Sequence, residues 1–324
     1  MTDWFDYIKN NPTKNWSFEK ISNNKNVTWD IVVANPDKPW RYDMLSMNPN
    51  ITWDIVRDNP DKRWKYAYLS NNPNITWDIV VNNQPPRWEW WNYDFLSSNP
   101  NITWDIVVAN PDKLWKYWAL SSNPNITWDI VRDNPDVPDD PNKVWDYRNL
   151  SKNPNITWDI VLNNPDREWN YWALSQNPNI TWDIVRDNPD KNWDYDNLSA
   201  NPNITWDIIT NNPDKPWDSF NMGKNPNITW DIIQDNNTIN WSYYYISLNP
   251  NITWDIVSET QDKRWDYNIL SGNDMTKDSF FDTRNMFDTN FKGGKRKRKT
   301  RRKQKRRQTR KIKGNKQKRK SKRH

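Results

Sequence analysis

The sequence predicts an all-α fold: an α-solenoid of about eleven helix–turn–helix repeats of about 24 residues each, followed by a Lys/Arg-rich tail. Three observations lead there. The phrase Ile-Thr-Trp-Asp-Ile-Val recurs at a nearly fixed period, Asn-Pro cuts most periods in two, and the charge is split between an acidic body and a basic end. Self-similarity at such a period is the mark of stacked repeats, each too small to bury its own core.

Aligning on the phrase gives one tryptophan series, Trp29, Trp53, Trp77, Trp104, Trp128, Trp158, Trp182, Trp206, Trp230 and Trp254, with Phe5 as a degenerate first copy. A second series runs Trp16, Trp40, Trp64, Trp91, Trp115, Trp145, Trp169, Trp193, Trp217, Trp241 and Trp265. The spacing is 24 except for one gap of 27 and one of 30. Both insertions fall between Asn-Pro and the second tryptophan, around Gln84–Trp90 and at Val137–Asn142. Extra residues collect in loops, so this connection is expected on an outer rim of the stack.

Residues 51–70 stand for the unit. Thr52 is an N-cap candidate, Asp54 suits the positive end of the helix dipole, and Asn59-Pro60 stops the first helix. Ile51 and Val56 take the two positions of a hydrophobic staple. The second helix is expected to begin at Asp61 and to run through Trp64, Tyr66, Leu69 and Ser70. Pro39 and Pro216 would then stand at its second position, where a missing N–H costs nothing. The alternative is a strand-plus-helix repeat, because Ile51-Thr52-Trp53-Asp54-Ile55-Val56 also alternates with β-branched and aromatic residues. The capping chemistry favours two helices.

Such short helices are unstable alone. Trp40, Tyr42 and Leu45 spread over more than one helical face, as needed when a neighbour packs on each side. Eleven layers at about 9 Å would give a rod or superhelix on the order of 100 Å long. Its ends read as caps: Phe5 and Tyr7 replace Trp and Ile in the first copy, and the last decays from Asn273 onward. The expected division is a solenoid over 1–272, a decaying cap or linker over 273–291, and a disordered tail over 292–324.

Composition excludes several chemistries. There is no cysteine, and the single histidine is His324. Thiolate or histidine metal cages and Ser–His or Cys–His nucleophiles therefore cannot be built. The body up to Lys292 holds only Gly223 and Gly272, so a glycine-rich phosphate loop is absent. The repeated acids, such as Asp54 and Asp61, recur in all or most copies, whereas a catalytic pair would stand once. No enzyme, cofactor or metal is expected. No apolar run reaches the roughly 18 residues of a membrane span, and the acidic, aromatic start is unlike a secretory signal.

Residues 292–324 hold 21 of the 47 Lys/Arg and no acid, leaving 26 Lys/Arg against 41 Asp/Glu, a formal −15, for residues 1–291. The candidate nucleic-acid or import residues are Lys295, Arg296, Lys297, Arg298, Lys299, Arg301, Arg302, Lys303, Lys305, Arg306 and Arg307. Such a run binds phosphate backbones by counterion release and also serves as a nuclear-import signal. The two tryptophan series read as core. Trp88, Trp90, Trp118 and Trp172 stand outside them and are candidate protein contacts. The Asn-Ile-Thr triplets, Asn50 and Asn74 among them, are formal glycosylation acceptors, but after proline and before a capping threonine they read as turn chemistry.

From Asn48 to Asn273 the chain carries Asn-Pro-Asn-Ile-Thr-Trp-Asp-Ile-Val followed by Asn-Pro-Asp-Lys-x-Trp almost without change. It resembles the tryptophan-rich tandem-repeat proteins of giant nucleocytoplasmic large DNA viruses. Gly293-Gly294-Lys295-Arg296-Lys297-Arg298-Lys299 is similar to basic C-termini common in such viruses. The resemblance implies a viral origin and an intracellular setting in an infected host cell, in nucleus, cytoplasm or virion. It carries over no catalytic or binding residue. The residues themselves point to a non-enzymatic scaffold or adaptor: a long acidic surface for a protein partner, and a tail for DNA, RNA or nuclear targeting. A nucleic-acid packaging or virion component with a self-assembling body is the alternative.

Overall fold

The computed structural model describes residues 4–86, 89–137 and 139–275, which lie in one unit, Met1–Ser279. Among these residues are twenty-two short helices, two per repeat, and no strand. The strand-plus-helix alternative is therefore set aside.

The first helix of a repeat forms as its capping residues dictate. Over Trp53–Asp58 the Thr52 hydroxyl accepts from the Ile55 N–H, and Asp54 sits in the first turn. Ile51 and Val56 are both buried, as the staple requires. The stop is made by Asn59, whose side-chain amide donates to the Ile55 carbonyl at 2.9 Å. An orphan carbonyl of the last turn is thereby satisfied.

The second helix begins later than expected, at Tyr66 instead of Asp61, and runs only to Leu69. Residues 61–63 belong to a turn. The Lys62 N–H donates to the Asn59 carbonyl (3.2 Å) and the Trp64 N–H to the Lys62 carbonyl (2.9 Å). Asp61 is exposed and caps no helix. Pro39 and Pro216 are thus the central residues of three-residue turns closed by Trp40 to Lys38 and by Trp217 to Lys215, both 2.8 Å. That position has φ near −75° and needs no N–H, which suits proline. The turn wins over a longer helix because Trp64 must point back: its indole N–H donates to the Asn59 carbonyl at 2.9 Å. The same bond, from second tryptophan to the residue ending the first helix, is made in all eleven copies.

Three polar ladders join each repeat to the one before it. Buried Asn72 donates to the carbonyls of Ser46, Asn48 and Ile51. Asn74 donates to Pro49 and Ile51. The Lys65 N–H donates to the Ser46 hydroxyl, which itself donates to Tyr42. Apolar wedges complete the joint. Trp64 packs between Trp29 and Tyr42 of the preceding repeat, with ring centroids 5.6 and 5.3 Å away. The two tryptophan series are buried or half-buried throughout.

These ladders close on themselves. Asn24 of the first repeat donates to Ser271 and Asn273 of the last at 3.1 and 3.0 Å. The Ser17 N–H donates to the Ser271 hydroxyl (2.9 Å), and Asn26 donates to the Asp274 carbonyl. Tyr267 packs edge-on to Trp16 at 5.1 Å, as Tyr42 does to Trp64. Lys25–Asp274 and Lys20–Asn268 add polar contacts. The unit is a closed ring of eleven repeats, so the expected open rod is corrected. The length of about 100 Å becomes a circumference. The ends expected to face water are a joint: Tyr7 packs against Trp254, while Phe5 lies against Trp40 of the next repeat as Trp29 does against Trp64.

Side-chain volumes account for the closure. Successive second helices pack directly on one another, with a buried serine and asparagine at most of their joints. Successive first helices are held apart by a wedged indole. The layer of closest approach must lie nearest the axis, so second helices line the bore and first helices the outside. Each joint turns the chain by about 33°, one eleventh of a circle, the layers being spaced as packed helices are.

Candidate interaction surface

The outer wall carries the first-turn aspartate of every copy, beside positions that vary between Arg, Val, Leu and polar residues. In the repeat of residues 51–70, Arg57 pairs with Asp54 and Asp58 at 2.7 and 2.9 Å, and Lys62 pairs with Asp61 at 2.8 Å. The hydrogen bond from Lys62 holds the Asp61 carboxyl below its usual range. Most of these groups are well exposed, and water screens such pairs so that they add little to stability.

The bore differs from copy to copy. On a second helix, the second residue and the residue two past the buried leucine both lie about 200° from that leucine at 100° per residue. Both therefore point away from the core, into the bore. With second helices about 9 Å apart and 10–12 Å thick, eleven of them leave an opening about 20 Å across. The second position reads Glu19, Asp43, Ala67, Asp94, Trp118, Arg148, Trp172, Asp196, Phe220, Tyr244 and Asn268. The buried positions of the repeat are nearly constant, and this one varies as several other exposed positions do. One arc is acidic, through Glu19, Asp43 and Asp94. Another is aromatic and cationic, from Trp118 onward.

Side-chain contacts along the second arc run from repeat to repeat. Arg148 and Lys152 of the helix Tyr147–Lys152 both lie over Trp172, at 4.6 and 4.4 Å from its ring. Phe220 stacks on Tyr245 at 6.2 Å, with Lys224 over the same tyrosine. Burial, with Arg148 nearby, pushes the Lys152 ammonium below its usual pKa. Burial raises the Asp196 carboxyl, and Asp218 and Asp194 add to it.

Of the residues singled out from sequence, Trp118 and Trp172 lie in the bore, 45 % and 40 % exposed, two repeats apart with Arg148 between them. Trp90 is 63 % exposed but sits elsewhere, in the first inserted loop. A cavity of about 480 Å³ opens there, lined by Trp77, Pro85, Pro86, Trp90, Trp91 and Tyr93. Trp88 and the basic residues from Lys295 to Arg307 lie outside the described residues. Sequence reasoning missed Arg148, Lys152, Phe220 and Tyr244. A partial signal was present: they occupy positions at which the repeat varies.

Both insertions bulge between fixed points, since the Trp91–Asn83 and Trp145–Asn134 indole bonds are kept. Both reach back to the preceding repeat. Glu89 accepts from the Tyr66 N–H and pairs with Lys65, and the Asn142 carbonyl accepts from the Tyr117 N–H. Each insertion thereby satisfies an orphan N–H at a helix start.

The Asn-Ile-Thr asparagines are engaged in the ladders, with Asn74, Asn101 and Asn125 each giving their side-chain nitrogen to two carbonyls of the preceding repeat. A glycan on that nitrogen would break the joint. Among the described residues no three His, Cys, Asp or Glu side chains are placed to hold a metal, and no helix is long and apolar enough to cross a membrane. Comparison with protein-family models, curated proteins and solved structures finds no match.

Proposed function

We propose that this chain is a non-enzymatic ring scaffold: an adaptor whose ring engages a protein partner while the Lys/Arg-rich residues 292–324 bind nucleic acid or direct nuclear import. The observation that carries this reading is the exposure of large aromatic and charged side chains along the bore. A wall that is copied eleven times supplies shape, and selectivity belongs where large aromatic and charged side chains face solvent. Trp118, Trp172, Phe220 and Tyr244 are 40–49 % exposed, and exposed aromatic side chains are common anchors in protein interfaces. The viral setting and an intracellular location belong to the same proposal and rest on the repeat motif.

The closed ring bears on the alternative. A packaging or virion protein built by stacking repeat ends needs open ends, and here the first and last repeats occupy each other. That favours the adaptor over a self-assembling body. Sedimentation of the chain truncated after Phe291 separates the two: a monomer supports the adaptor, and concentration-dependent higher oligomers support assembly. The same truncation should abolish DNA and RNA retention at low salt. Equal retention would refute the role of the tail.

A further inference from the structure

The bore arc around Trp118 and Trp172 carries more than an unspecified contact. Three consecutive repeats contribute. Trp118 lies on the first, exposed and without an aromatic partner among the described residues. Arg148 and Lys152 lie on the second, and Trp172 on the third. Arg148 and Lys152 are four residues apart on one helix, where like charges repel. Neither has a carboxylate partner among the described residues, whereas lysines of the outer turns such as Lys38, Lys113 and Lys215 are each paired with an adjacent aspartate. Asp146, next to the pair, is engaged in capping its own helix through the Asn149 N–H. The next bore carboxylate, Asp196, is one repeat beyond Trp172. Two cations lying over one face of Trp172, with the exposed Trp118 indole one repeat before them, in a body of formal charge −15, call for an anionic ligand with flat rings.

We propose that this arc is a stacking platform for single-stranded nucleic acid, with bases on Trp118 and Trp172 and backbone phosphate at Arg148 and Lys152. The proposal rests on the nucleic-acid role given above to residues 292–324 and deepens it. Aromatic faces interleaved with cations take single strands without sequence preference. A duplex keeps its bases stacked inside and cannot use the indoles. The acidic body repels a free polyanion at long range. The tail therefore captures the strand and raises its local concentration, and the arc then selects for unpaired bases. An anion beside Lys152 would oppose the burial and the Arg148 charge that lower its pKa.

The test uses the full-length chain and fluorescence anisotropy with a labelled dT20 oligonucleotide and a 20-base-pair duplex at several salt concentrations. The single strand should be preferred. W118A/W172A should weaken dT20 binding at least about 10-fold, because stacking contributes about 1–3 kcal/mol per base, and should leave the duplex unaffected. W118F/W172F should restore most of the loss. R148Q/K152Q should reduce the slope of log K against log salt for dT20 by about 1.4, two phosphates at about 0.7 each. All four side chains are solvent-facing, so unchanged unfolding midpoints will confirm that the variants fold. An unchanged single-strand preference in W118A/W172A overturns the platform while leaving the tail's role intact. Loss of all binding only when the tail cations are changed to glutamine has the same meaning. Binding of labelled poly-glutamate that is lost in R148Q/K152Q, with no response to dT20, would assign the arc to an acidic protein segment and overturn the proposal.

Discussion

Replacing Asn123 by alanine removes one rung of the buried ladder. Its side chain donates to Ser97 and Asn99 at 2.9 Å and to Ile102 at 3.1 Å, and accepts from the Asn125 N–H at 2.9 Å. Not all of these partners are orphaned. Asn99 keeps the Ile102 N–H, and Ile102 keeps the Asn125 amide. The Ser97 carbonyl and the Asn125 N–H are left with nothing. An unsatisfied buried polar group costs about 1–3 kcal/mol, and the lost side chain leaves a small void. The expected destabilisation is about 3–5 kcal/mol, read from urea unfolding followed by tryptophan fluorescence. Asn24→Ala at the seam should cost as much, because Asn24 donates to Ser271 and Asn273 in the same way. In an open stack Asn24 would face water and the change would be nearly neutral. A loss under about 1 kcal/mol at Asn123, the smallest cost of one orphaned group, refutes the ladder. A normal loss at Asn123 with none at Asn24 refutes the closure. Asn123→Asp adds a sign test. Burial against carbonyls raises the folded pKa above the unfolded value near 3.9. The variant should therefore be most stable below about pH 4 and lose stability as pH rises through the folded value.

Alkaline pH should weaken the ring. Burial pushes Tyr7 up to about 12, with Tyr267 beside it adding to the effect; both hydroxyls are enclosed and make no hydrogen bond of good geometry. Burial likewise raises Tyr66, Tyr93, Tyr117, Tyr147, Tyr171, Tyr195 and Tyr243 above 10. Unfolding above pH 10 then releases protons, so stability present below that pH is lost as pH climbs toward the folded values. Urea midpoints that stay flat from pH 9 to 11.5 would contradict this. Deleting 137–142 should leave the ring folded, because the Trp145–Asn134 bond spans the gap, and should cost about 1–3 kcal/mol for the orphaned Tyr117 N–H; global unfolding of the variant, seen by circular dichroism, would show that the insertion is needed for closure.

Much of the repeat was legible before the structure. Thr52, Asp54, Asn59 and the Ile51–Val56 staple act where their chemistry placed them, because a cap is a local device. The start of the second helix was not legible: Asp61 is as good an N-cap as Thr52, and only the tertiary bond from Trp64 to Asn59 decides against it. Closure was hidden for another reason. Curvature comes from a small difference in thickness between two layers, which a period does not report. A clue existed, nonetheless. A true end repeat sheds its outward-facing interface residues, yet Trp16, Asn24 and Asn26 at one end and Tyr267 and Ser271 at the other are all retained. The eroded Phe5 and Tyr7 drew attention away from them. In the bore, Trp118 and Trp172 stood out as surplus tryptophans, but Arg148 and Lys152 are ordinary residues until the fold stacks them over an indole.

The closure itself can be tested covalently, because the chain has no cysteine of its own. A β-carbon built on Gly272 lies 3.7 Å from that of Lys20, close to the 3.8 Å typical of a disulfide. The double variant K20C/G272C should therefore oxidise to a monomeric species of altered mobility on a non-reducing gel, reversed by reductant. Closing a loop of about 250 residues should add about 5 kcal/mol of stability. A chain that stays reduced, or that forms only disulfide-linked dimers, would contradict the ring.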